Sequence, residues 1–104
     1  MKANYKKKGY SMETANYYID KNKPMFSLST ELETQQSFND GKPTGEIVAY
    51  KAWFTQEGIP PFVVKFDTEI NLPKYLSTIE FEDLTACEVR YNVYFKAMNI
   101  KEIK

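Results

Sequence analysis

The sequence predicts a single all-β domain, and three observations carry the prediction. Aromatic residues make up 15% of the 104-residue chain, and Tyr and Phe favour the pleated, half-buried surface of a strand. Short β-branched and aromatic runs alternate with Pro-, Gly- and Asn-marked turns. No segment keeps apolar residues three and four apart for a dozen positions, as an amphipathic helix requires.

Residues 1–16 are polar and Lys-rich, with Tyr5 and Tyr10 among Lys2, Lys6, Lys7 and Lys8. They read as a flexible or loosely docked basic arm preceding one β-barrel domain over 17–104. Tyr17-Tyr18-Ile19 suggests a short strand, ended by the turn chemistry of Asp20 to Pro24. Met25 to Leu32 alternates as a strand with one wet face does. The one stretch with room for a helical turn is Glu31 to Phe38. Glu33 to Gly45 is polar, and its Asn39–Gly45 part is the clearest loop. Glu46 to Gln56 (EIVAYKAWFTQ) is the strongest strand signal, followed by an obligatory turn over Glu57–Pro61 and a strand over Phe62–Phe66. After the NLPKY connector, Thr78–Glu82 alternates apolar with acidic, and Leu84–Val89 continues it past a bulge at Asp83. Arg90-Tyr91-Asn92 is a turn, and Val93–Ala97 a last strand that Ile100–Ile103 extends.

Composition narrows the function. The chain has no His, which removes the commonest general base and metal ligand. Its lone Cys87 excludes an internal disulfide and a Cys-based zinc site, and suits a reducing cytoplasm. The four glycines are scattered and form no phosphate loop. Glu80, Glu82, Asp83 and Glu88 are the densest acids, but Glu80 and Glu82 stand two apart, as on a solvated strand face. No catalytic site, metal or cofactor is expected. No apolar run is long enough to span a membrane. The 14 basic and 14 acidic residues cancel, which argues against binding duplex DNA chiefly through its phosphates.

Strand alternation sorts the remaining side chains into faces. In the strand from Glu46, Val48, Tyr50 and Phe54 share one face, and one consistent choice puts Tyr50, Phe54, Phe62, Val64, Phe66, Ile79, Phe81, Val93 and Phe95 inside. It leaves Lys51, Trp53, Lys65, Tyr94 and Lys96 outside, a set of three lysines and two aromatics without an acid. Rings that stack bases beside ammonium groups that meet phosphates suit single-stranded nucleic acid. An alternative is a protein–protein adaptor or inhibitor, working through a free strand edge at Phe62–Phe66 or Val93–Ala97, or as a homodimer.

Five strands, from near Met25, Glu46, Phe62, Thr78 and Val93, form a meander of three and a hairpin of two, the order of an OB-fold barrel. From GEIVAYKAWF through PPFVVKF to IEFEDLTACEV and NVYFKAMNIKEIK the chain resembles the OB-fold single-stranded DNA-binding proteins of phages and conjugative elements of Gram-positive bacteria. The resemblance implies sequence-independent binding in replication or transfer of a mobile element, with replication or transfer proteins as further partners. It implies contacts through Trp53, Tyr94, Lys51, Lys65 and Lys96, with Tyr50 and Tyr91 in reserve. The chain departs from the acidic tail such proteins often carry, ending instead in Ile100-Lys101-Glu102-Ile103-Lys104.

Overall fold

The computed structural model describes residues 1–5 and 9–103. Helix α1 (Met12–Tyr18) precedes eight strands: β1 (Met25–Ser27), β2 (Glu33–Asn39), β3 (Lys42–Gln56), β4 (Phe62–Phe66), β5 (Thr78–Glu82), β6 (Thr85–Val89), β7 (Asn92–Lys96) and β8 (Asn99–Glu102). The protein is mostly β, and its strands form one open sheet in the order β6-β7-β4-β3-β1-β5-β8, with β2 also paired to β3. Strands β4 and β7 run parallel. Among the described residues no helix is long and apolar enough to cross a membrane.

Several short strands are segments of longer arms. Both β1 and β2 pair antiparallel with the long β3, separated only by the kink at 28–32. Trp53 spans that kink: its carbonyl accepts from the Leu28 N–H, and its own N–H donates to Ser29 Oγ at 2.8 Å. The β5–β8 and β6–β7 ladders keep one common register, from Ile79 opposite Glu102 to Val89 opposite Asn92. Asp83, with φ of 52°, interrupts one side, and the Met98 N–H still reaches the Glu82 carbonyl at 2.9 Å. The sequence reading places a bulge at Asp83, but no extra residue enters there: two residues stand on each side between the Glu82–Asn99 and Thr85–Lys96 pairs, and only the positive φ of Asp83 breaks the strand.

The core is aromatic and β-branched. Phe54, Phe62, Val64, Phe66, Ile79 and Phe95 are all buried. Phe54 meets Phe81 edge-on at 4.9 Å between centroids, a favoured aromatic geometry. Ile70 and Pro73 from the long β4–β5 connector are buried as well. Gln56, also buried, donates through Nε2 to the carbonyls of Asp20 and Lys23 and accepts from the Asp20 N–H. One amide thereby satisfies three backbone groups of the turn leading into β1.

The structure corrects several expectations. Residues 17–19 do not begin a strand, because Tyr17 and Tyr18 end α1. Ser11 caps that helix, accepting from the Thr14 N–H, and Ala15 and Ile19 enter the core. The described parts of the expected arm wrap the β6–β7 hairpin. The Ala3 N–H donates to the Tyr91 carbonyl and the Met1 carbonyl accepts from the Val93 N–H, while Ser11 and Ala86 exchange two backbone bonds. Tyr5 N–H and the Tyr18 hydroxyl both donate to Glu88. Lys6, Lys7 and Lys8 lie outside the described residues.

The expected helical turn at Glu31–Phe38 is instead β2 from Glu33 onward, and most of the expected Asn39–Gly45 loop is the end of β2 and the start of β3. Their turn is only Asp40-Gly41, with φ of 51° and 77°, the signs a two-residue type I′ hairpin turn needs. Val48, which alternation sets on the face of Tyr50 and Phe54, is exposed. The cause is the register shift between Gln35 and Gln36, which leaves Val48 without an opposite residue and breaks the alternation. The edges expected at Phe62–Phe66 and Val93–Ala97 are interior: β4 lies between β3 and β7, and β7 between β6 and β4.

Candidate functional site

The outer face of β3, β4 and β7 carries two adjacent transverse rows. Lys51 pairs with Lys65, and Lys65 with Lys96, so three lysines lie side by side on neighbouring strands. Glu33 stands opposite Lys51 at one end of this row and Thr85 opposite Lys96 at the other. Two residues along, Trp53 pairs with Val63. The parallel β4–β7 register sets Tyr94 beside Val63. Trp53 is 42% and Tyr94 47% exposed, whereas their chain neighbours Phe54 and Phe95 are buried beneath them. Large aromatic side chains left this open are not held by the core.

These residues border a shallow groove of about 670 Å³ lined by Lys51, Trp53, Val63, Lys65 and Tyr94, with Met1 and Tyr10 from the N-terminal segment. Lys96 lines an adjoining hollow of about 330 Å³ with Tyr10 and Thr85. Its ammonium pairs with Asp67 at 2.9 Å and lies 5.8 Å from the centroid of the Tyr10 ring. Like charges directly opposed across strands destabilise a sheet, so the lysine row is a local concentration of positive charge that an anion would relieve.

Five of the seven expected contact residues, Lys51, Trp53, Lys65, Tyr94 and Lys96, are therefore brought together on one face. Tyr50 is not, since it alternates with Lys51 and follows the inward parity of Ala52 and Phe54, where it is half-buried. Tyr91 is 76% exposed at the β6–β7 turn, off the two rows. Tyr10 was missed at this site, because only its backbone docking beside β6 carries it onto the face. Burial pushes its phenol up to about 12, helped by the Cys87 thiol and by Asp67.

The dense acids are spread over β5, β6 and the short break between them. Glu80 pairs with Lys101 at 3.2 Å, and Glu88 anchors Tyr5 and Tyr18. Among the described residues no group of three or more His, Cys, Asp or Glu could hold a metal.

No family model, curated protein or solved structure matches this chain.

Proposed function

We propose that this protein binds single-stranded nucleic acid, DNA in the first instance, without sequence preference, on the outer face of β3, β4 and β7. The observation that carries the reading is the pair of adjacent rows: Trp53 and Tyr94 in one, Lys51, Lys65 and Lys96 in the next. Bases stacked on the rings leave their phosphates over the ammonium groups, and every base has a face to stack, so binding is tolerant of sequence. In this reading the interrupted arms β1–β2, β5–β6 and β7–β8, with β3 and β4, make the five strands of an OB-type barrel. The protein then acts without catalysis, in the cytoplasm, during replication or transfer of a phage or other mobile element.

The test is titration with oligo-dT, oligo-rU and duplex DNA at two salt concentrations, followed by Trp53 fluorescence. Oligo-dT is expected to quench Trp53, duplex DNA to bind far more weakly, and salt to reverse the quenching. Absence of both quenching and a gel shift at low salt would overturn the reading. The adaptor alternative has lost the strand edges first named for it. It retains the outer edge of β2, which among the described residues pairs only with β3; co-purification of a protein partner that a β2 proline substitution abolishes would support it.

A further inference from the structure

We infer that Tyr10 is a third base-stacking position, which extends the bound strand from β3 across the sheet and onto the N-terminal segment. The inference rests on the nucleic-acid reading above and adds a residue to its site. The antiparallel bridge between Ser11 and Ala86 places Tyr10 beside Cys87, and Cys87 pairs with Tyr94. The aromatic row therefore runs Trp53, Val63, Tyr94, Cys87, Tyr10, with a ring at every second position. At roughly 4.8 Å between neighbouring strands, the three rings are set about 9.6 Å apart.

Three features fit a binding ring better than a plug over Cys87. The backbone beside it is fixed, since Ser11 N–H donates to the Ala86 carbonyl at 2.9 Å and Ala86 N–H to the Ser11 carbonyl at 3.1 Å. The side chain still leaves Tyr10 46% exposed, close to the value for Tyr94. Tyr10 also lines the same groove as Trp53 and Tyr94, and the ammonium near its ring belongs to the lysine row. A ring held rigidly in the open loses little freedom when a base covers it. Val63, between Trp53 and Tyr94, is short, while on the other side of Tyr94 the Tyr10 hydroxyl reaches the Cys87 thiol.

The experiment uses the full chain with dT12. Tyr10→Ala is expected to bind about 5- to 150-fold more weakly, the range for losing one base–aromatic stack, while Tyr10→Phe binds like the parent. To separate a lost contact from a loosened N-terminal segment, a second variant reports position directly: Trp53→Phe combined with Tyr10→Trp, whose only indole is then at position 10. Quenching of that indole by dT12 supports the inference. An unquenched indole, or unchanged affinity in a folded Tyr10→Ala, overturns it and leaves Tyr10 as a structural cap. If the parent binds no dT12, the nucleic-acid reading itself has failed, which is distinguishable from failure at Tyr10 alone.

Discussion

Lys65 offers the sharpest test, because its substitution should move stability and binding in opposite directions. It is flanked on both sides by lysines, Lys51 on β3 and Lys96 on β7. Directly opposed like charges on a sheet cost about 0.2–1 kcal/mol each. Lys96 is partly neutralised by Asp67, so the two repulsions together amount to about 0.5–1 kcal/mol. Lys65→Gln keeps most of the side-chain stem and removes the charge. Its thermal midpoint should therefore rise, by about 4–8 °C for each kcal/mol regained in a domain of this size. Binding should weaken and lose part of its salt dependence. Three phosphates contacted on a single strand give a log–log slope of about −2, so tenfold more salt weakens the parent about 100-fold; two contacts give about −1.4 and roughly 25-fold. The assay is a paired measurement, thermal denaturation and oligo-dT titration over a salt series. Lower stability with an unchanged salt slope would refute the argument, since it would mean that Lys65 serves packing and not phosphate.

Trp53→Ala should weaken oligo-dT binding by about 1–3 kcal/mol with little change in stability, whereas Phe54→Ala, one residue along and fully buried, should cost about 3–5 kcal/mol of stability in a denaturant titration. Gln56→Leu preserves bulk but strips three backbone groups of their partner; a loss of about 1–3 kcal/mol is expected by the same assay. At alkaline pH the phenols of Tyr10 and Tyr18 keep their protons in the folded chain beyond the point where the unfolded chain loses them, through burial in both cases, with the Cys87 contact and the Glu88 bond respectively adding to it. Their contribution is therefore whole below pH 10 and is lost between pH 10 and about 12 for Tyr10. Denaturant midpoints measured across that window should fall, and fall less steeply in Tyr10→Phe.

The faces of β3, β4 and β7 were legible because a period of two needs only one correct choice of inside. Phe54, Val64 and Phe95 then sort themselves from Trp53, Lys65 and Tyr94. The same logic failed at Val48, where a register shift adds a residue that no pattern announces. Strand β2 was illegible for a different reason: ETQQSFN belongs to a ribbon that is mostly wet on both faces, so it carries no apolar alternation. Helix α1 spans only seven residues, too few for periodicity to stand out. Its signal was local, a Ser11 cap ahead of Ala15, Tyr18 and Ile19 at helical spacing. Missing that helix also hid Tyr10, since the docking of 1–5 and 9–11 around the β6–β7 hairpin is a tertiary event with no sequence period at all.

Zero net charge stood as an objection to a nucleic-acid binder, and the arrangement of the charges answers it without adding any. Glu80 and Lys101 occupy β5 and β8 and neutralise one another. Glu88 is engaged by Tyr5 and Tyr18. The lysines of β3, β4 and β7 form instead one row across a groove and its adjoining hollow, with Glu33 opposite Lys51 and Asp67 paired to Lys96 at its two ends. A field so local falls away within about 8 Å at physiological salt, so it does little to steer a distant polyanion. It acts once a strand has arrived. Affinity in the proposed mode then depends chiefly on how many rings a strand covers, which is why two exposed aromatics among the lysines, and a third carried in by the N-terminal segment, matter more than the sum of the charges.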